Sequence, residues 1–265
     1  MYQFDYLRPG TLEEAARLFR ESGDAKFLAG GQTLIPTLKQ RLAQPAALID
    51  ITRIEGLAGI KAGAGCITIG AATRHAAVAT STDVRQAIPA LAHLAAHIGD
   101  PAVRHMGTLG GSIANNDPAA DYPAALLALG ATVQTTNRKL TADDFFTGMF
   151  ETALDEGEII VSVTCPVPEK AAYAKFPNPA SRYAMVGVFI AKFDVGVRVA
   201  VTGAAPCVFR EPAMEAALAK SFSPDAIKDI QISPDGLNSD LHGTAEYRAH
   251  LVSVMARRAV TAAMA

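Results

Sequence analysis

Apolar positions along this chain change period repeatedly, and each change predicts a new element. Helical spacing runs from Leu12 to about Glu21, behind the capping box Thr11-Leu12-Glu13-Glu14. Ser22-Gly23-Asp24 ends that helix, and Ala25 to Leu28 reads as a short strand. Leu34 to Leu42 returns to helical spacing, and Ala47 to Ile51 is a second strand. The texture changes after Leu57, where Gly63 to Ala71 reads as a hairpin strand with flanking glycines. Thr82 to Ile98 places Ile88, Leu91, Leu94, Ala95 and Ile98 on one helical face, with Pro89 weakening its start. Tyr122 to Leu129 is a short apolar helix and Ala131 to Thr135 a strand. The β-branched run Ile159 to Thr164 stops at Pro166 and Pro168, a natural boundary. Beyond it, Ala184 to Phe193 and Gly196 to Thr202 read as strands turning at Asp194. Pro212 to Lys220, Ser223 to Ile230 and Tyr247 to Met264 read as helices. The chain shows no internal repeat and no low-complexity tract.

Two segments interrupt this pattern with paired glycines. They are Leu28-Ala29-Gly30-Gly31-Gln32-Thr33-Leu34 and Thr108-Leu109-Gly110-Gly111-Ser112, the latter running on to Asp117 and Asp121. Glycine loses the most backbone freedom on folding, so a pair at a strand end implies close approach to the backbone. Free N–H groups in such a turn cradle phosphate oxygens, and two segments would grip an extended diphosphate from two sides. For a single such pair, a tight turn is the more frequent explanation than a ligand. Neither segment is GxGxxG and no GK[ST] occurs, so the nucleoside-triphosphatase and standard dinucleotide-fold readings lose their best support. Asp121 can accept hydrogen bonds from ligand hydroxyls, whereas Asp117 before Pro118 reads as a turn residue.

Composition narrows the class. The chain has 265 residues, enough for a large core in two subdomains, and a formal charge of −2 that announces no nucleic-acid face. Charged residues are 19%, below the usual quarter, which fits a surface partly covered by partners. No signal-peptide pattern or membrane-spanning run is read, so the expected location is the cytoplasm. Cys66, Cys165 and Cys207 lack the spacing of a disulfide framework or an iron–sulfur site. His93 and His97 have a metal-ligand spacing on a helix but no third ligand or adjacent Glu, so they read as solvated histidines. Lys175, Arg182 and Tyr183 precede an apolar strand. A cation and an aromatic there would suit a flavin, and an ordinary surface pair would look the same.

Taken in order, these motifs resemble the FAD-binding medium subunit of molybdenum hydroxylases, the family of aerobic carbon monoxide dehydrogenase and xanthine dehydrogenase. The resemblance spans nearly the whole chain. It includes Met1 to Pro9, both glycine segments, Gly99-Asp100-Pro101-Ala102-Val103-Arg104, Asp117 to Pro123, Glu156 to Ile160, Ser181 to Gly187 and Tyr247 to Leu251. It implies a p-cresol-methylhydroxylase-type FAD-binding domain of two α+β subdomains, residues 1–57 and 58–168. A C-terminal domain with a small antiparallel sheet and helices would follow at 169–265. In that frame Leu28, Ala29, Gly30, Gly31, Gln32, Thr33 and Leu34 hold the diphosphate, and Thr108, Leu109, Gly110, Gly111 and Ser112 wrap it. Asp121 holds FAD hydroxyls, and Ile69 and Gly70 lie near the ring system. Ile160 is an apolar contact, and Lys175, Arg182 and Tyr183 lie near the isoalloxazine. Ser112 stands where many members have Asn, and His105 where Asn is common. The family's role is electron transfer: FAD is bound non-covalently and fed by a small 2Fe-2S subunit and a large molybdopterin subunit, expected as a dimer of heterotrimers. The alternative is a stand-alone FAD-dependent oxidoreductase with its own small substrate. A non-catalytic nucleotide-binding module is a third possibility.

Overall fold

The computed structural model describes every residue from Met1 to Ala265. The chain opens with β1 (Asp5–Leu7), α1 (Leu12–Glu21), β2 (Ala25–Leu28), α2 (Leu34–Lys39) and β3 (Ala47–Asp50). Their strands make a parallel sheet in the order β1-β3-β2. The cap of α1 is the one expected at Thr11, whose Oγ1 accepts from the Glu14 amide at 3.1 Å. The Glu14 carboxylate reaches one residue further back, accepting from the Gly10 amide at 2.7 Å. Helix α2 stops short of Leu42 because the chain turns at Arg41, which has a φ of 60°.

Next come β4 (Ile60–Gly63), β5 (Cys66–Gly70), α3 (His75–Thr80), α4 (Thr82–Ala87), α5 (Pro89–Ala96), α6 (Pro101–Met106), α7 (Leu109–Asn115) and α8 (Tyr122–Leu129). After them lie β6 (Thr132–Thr135), β7 (Lys139–Thr141), α9 (Ala142–Phe145), the hairpin β8 (Phe146–Gly148) and β9 (Glu151–Thr152), and β10 (Ile160–Pro166). An antiparallel sheet forms in the order β4-β5-β10-β6-β7. The single helix expected over Thr82 to Ile98 is two. Ile88 leaves the helical region because it precedes a proline, and Pro89 starts the next helix. The second glycine segment is not a loop. It is the first turn of α7, capped by Thr108, whose Oγ1 accepts from the Gly111 amide at 3.1 Å.

The last third holds β11 (Lys170–Pro177), β12 (Ala184–Phe193), β13 (Gly196–Thr202), β14 (Phe209–Arg210), α10 (Pro212–Lys220) and α11 (Ala245–Met264). Strands β11 to β14 form an antiparallel sheet in sequence order, with the turn between β12 and β13 at Asp194-Val195. The helix expected over Ser223 to Ile230 is a 3-10 turn at Pro224–Ile227. Strand β12 is buried from Ala184 to Ala191, and its parity shows why. Val186, Val188 and Ile190 join the core under α10 and α11. Phe189 and Ala191 face the opposite way, into the core around α8. All eight residues of α8 are buried, because the helix lies between the second and third sheets.

A buried ion pair joins those two layers. Asp121, at the start of α8, pairs with Lys175 of β11 at 2.9 Å, their side chains 4% and 8% exposed. The Tyr173 hydroxyl donates to the same carboxylate, and Lys175 also donates to the His97 carbonyl at 3.1 Å. Gly187 makes this possible, since a Cβ there would overlap the Tyr173 hydroxyl. Burial pushes the Asp121 carboxyl up, while Lys175 and Tyr173 act in the opposite direction.

A second junction lies between residues 71–75 and 107–110. The His75 amide donates to Gly107 O, Leu109 to Thr73 O and Gly110 to Ala71 O, all at 2.8–3.0 Å. The His75 side chain is 4% exposed, and burial followed by the charge of Arg104 lowers its pKa to about 4.

Two predictions follow from these junctions. Asp121→Ala leaves the Lys175 ammonium buried without its carboxylate and should cost about 3–5 kcal/mol. Chemical denaturation of the chain without cofactor measures this, and Asp121→Asn with Lys175→Met should recover most of the loss. His75 is neutral in the fold and binds a proton more readily when unfolded. Its contribution is therefore complete above pH 6.5 and is lost as pH falls toward about 4. His75→Gln should flatten the pH dependence of stability in that window, read as unfolding midpoints from pH 7 to about 4.

Candidate functional site

A cleft of about 790 Å³ opens between the first glycine segment, the start of α7 and the segment before β12. Its first wall begins where β2 ends. The chain must turn from β2 into α2 within a few residues, and Gly31 makes that turn at a φ of 69°. The amides of Ala29, Gly30, Gly31, Gln32 and Thr33 have no acceptor in the chain. Successive unpaired amides at the entry to a helix form a cradle for an anion. The Gln32 side chain folds back to the Gly30 carbonyl at 3.3 Å, leaving the amides open.

The second wall differs in kind. The amides of Leu109, Gly110, Gly111 and Ser112 are all bonded within the protein, to Thr73, Ala71 and Thr108. This segment contributes surface rather than free donors. Its glycines serve packing. A Cβ on Gly110 would lie 2.6 Å from the Ala71 Cβ. One on Gly111 would lie 2.9 Å from the Thr108 Oγ1 and 3.4 Å from the Ala29 Cβ. Gly30 is held the same way from the first wall, where a Cβ would overlap the Met106 carbonyl oxygen.

Of the residues expected at a site, Leu28 to Leu34, Thr108, Gly110, Gly111, Ser112, Asp121, Ile160, Arg182 and Tyr183 line this one cleft. Four do not. Ile69 is fully buried within β5, and Gly70 packs its α-carbon against the Leu57 carbonyl. Leu109 points into the core. Lys175 lies behind Asp121, tied to it and to the His97 carbonyl. Long-range pairing of this kind leaves no trace in local spacing. The cleft also gathers residues that sequence reasoning passed over, including His75, Asn115, Leu154, Glu158 and Ile159. The Nδ1 of His75 is buried without a partner, a polar atom available to a bound group. Glu158 accepts from Arg138 at 3.0 Å, from the Asp155 amide at 2.8 Å and from Thr135, which fixes the segment carrying Leu154, Ile159 and Ile160. Its carboxyl is held below the usual range by the hydrogen bonds of Arg138, Thr135 and Asp155, which outweigh the upward push of burial. Burial raises the Tyr183 hydroxyl, with Asp117 and Asp121 adding to it, so it stays protonated at neutral pH. Asp117 acts as a turn residue, accepting from the Ala119 amide at 2.9 Å.

His93 and His97 pack with their rings tilted and centroids 4.2 Å apart, outside the cleft. Cys165 is a buried thiol pushed up to about 12 by its burial.

These features fit a flavin dinucleotide: a free-amide cradle for the diphosphate, apolar walls at Leu154, Ile159 and Ile160, and an aromatic at the rim. Residues 2–168 match the family described as the FAD binding domain in molybdopterin dehydrogenase. The chain is 36% identical to the carbon monoxide dehydrogenase medium chain of Hydrogenophaga pseudoflava, covering 99% of this chain and 98% of that one. It is 34% identical to the glyceraldehyde dehydrogenase medium chain of Sulfolobus acidocaldarius, covering 97% of each. Among solved structures, carbon monoxide dehydrogenase from Hydrogenophaga pseudoflava superposes with a TM-score of 0.89 over 99% of this chain and 98% of that one, at 36% identity. Quinoline 2-oxidoreductase from Pseudomonas putida 86 superposes at 0.90, covering 99% of this chain and 97% of that one, at 29% identity. No helix is long and apolar enough to cross a membrane. Cleft, fold and relatives agree, and the chain belongs to the FAD-binding medium subunits of molybdopterin-dependent dehydrogenases, as an oxidoreductase subunit.

Proposed function

We propose that the cleft holds FAD with its diphosphate on the free amides of Ala29 to Thr33 and its remainder against Thr108, Gly110, Gly111, Ser112 and Ile160. The observation that carries this assignment is the run of unpaired amides opening on a cleft walled by a second glycine pair. Arg182 and Tyr183 stand at the rim, where a guanidinium and a phenol can pack on a planar ring. Asp121 contributes its carboxylate at the cleft floor, with Lys175 fixing its position and balancing its charge. Lys175 thus acts through Asp121, and Ile69, Gly70 and Leu109 support the walls from behind. FAD, when bound, accepts and releases electrons; the chain binds it, orients it and limits its exposure to water.

In the assembled enzyme this subunit would receive electrons from a small 2Fe-2S subunit fed by a large molybdopterin subunit, as a cytoplasmic dimer of heterotrimers. It would pass them to an external acceptor. Support comes from relatives named as medium chains that match the chain end to end. The same end-to-end match tells against a stand-alone oxidoreductase. Residues 1–57, 58–168 and 169–265 are proposed as its three units, each built around one of the larger sheets.

The test is the visible spectrum of the purified chain supplied with FAD. Bands near ~375 and ~450 nm, released on denaturation, are expected for a non-covalent flavoprotein. A chain that takes up no FAD at micromolar concentration would overturn the assignment. Two glycine variants separate cleft from fold. Gly30→Ala forces the first wall off the Met106 carbonyl and should weaken FAD binding by at least about tenfold. Gly23→Ala instead strains a positive φ, with nothing within 4 Å of the added methyl. It should cost about 1 kcal/mol of stability and leave the FAD dissociation constant unchanged. Equal FAD affinity in both variants would remove Gly30 from the site.

A further inference from the structure

One residue closes the segment that carries Arg182 and Tyr183 to the rim. Asn178 is 9% exposed. Its amide donates to the Tyr183 carbonyl at 2.8 Å, and its carbonyl accepts from the Arg182 amide at 2.8 Å. Its Oδ1 accepts from the amides of Ala180 at 2.9 Å and Ser181 at 3.2 Å. Those two amides fix which end of the side-chain amide is oxygen, so Nδ2 points the other way. It meets the Nδ1 of His242 at 3.3 Å. An amide NH₂ can only donate, so in this bond Nδ1 is the acceptor.

The backbone that carries the exposed His242 is fixed. Asp240 Oδ1 accepts from the His242 amide at 2.9 Å and from Gly243 at 3.2 Å. Asp240 Oδ2 pairs with Arg248 at 2.8 Å, and the buried Arg248 donates on to the carbonyls of Met185 and Gly203. A continuous set of bonds thus runs from α11, through His242 and Asn178, to the rim of the cleft. Something must hold that rim. Arg182 has a φ of 62°, a conformation that a non-glycine residue keeps only when its surroundings impose it.

We infer that His242 is a positioning residue for the cleft: through Asn178 it holds Arg182 and Tyr183 in place. The function of that placement rests on the FAD reading; the placement itself does not. The test compares three substitutions in the full chain. His242→Asn puts a carbonyl oxygen two bonds beyond Cβ, where Nδ1 was, and restores the acceptor. His242→Gln carries its oxygen one bond too far, and His242→Phe has none.

Hydrogen–deuterium exchange of the amides of Ala180, Ser181 and Arg182 is read without cofactor, with α11 as the folding control. Exchange should rise about tenfold in the Phe and Gln variants and stay near wild type in the Asn variant, with α11 equally protected in all. With FAD added, the flavin band shape and midpoint potential should shift in the same order. Wild-type exchange in the Phe variant would overturn the inference, as would equal loosening by Asn and Gln. A Phe variant that loses α11 protection leaves the Asn–Gln comparison to decide. A wild-type chain that takes up no FAD would sink the flavin reading while the exchange result still stands.

Discussion

The cleft depends on two stretches of backbone meeting with no side chain between them. Gly30 lies against the Met106 carbonyl and Gly110 against Ala71, both closer than a Cβ permits. The first contact sets the end of β2 against the segment leading into α7, and the second sets α7 against the end of β5. They also divide labour between the walls. One wall keeps its amides free because its helix begins after a turn at Gly31. The other spends its amides on residues 71 to 73 and Thr108, and so becomes rigid support.

The paired glycines were legible in the sequence as places of close approach, because glycine is costly without a steric reason. What is approached was not legible. Gly30, Gly110 and Gly111 turn out to be required by the protein's own atoms, and only the unpaired amides beside them speak for a ligand. Elements with a clear cap or an unbroken apolar run, such as α1, α8, β12 and β13, were readable in advance. Strand β11 was not, because Lys170 to Pro177 mixes small, charged and aromatic residues whose meaning comes from its neighbours. Lys175 illustrates the same limit for the site. A cation near a cleft is visible in a sequence, but the carboxylate that claims it lies 54 residues away.

Three ion pairs with a buried member share one arrangement. Asp121 with Lys175, Glu158 with the half-exposed Arg138, and the half-exposed Asp240 with Arg248 each join an acid to a cation with further hydrogen bonds. Two of these acids, Asp121 and Glu158, reach the cleft already paired. A neutralised acid can sit near a diphosphate without repelling it. The buried, neutral His75 is consistent with the same low-charge lining.

Helix α8 has a consequence for how the chain behaves as an object. It is apolar on every side and has the second sheet on one flank and the third on the other. Neither layer can therefore be released without wetting it. The stretch matched by the family domain ends at residue 168, but the surface that keeps α8 dry is supplied by Tyr173, Phe189, Ala191 and Ala200 beyond that point. The cofactor module is in this sense not self-sufficient. The last third of the chain is a lid on that hydrophobic interior, so loosening it would be felt at the cleft as a loss of cooperativity before any residue of the cleft itself had changed.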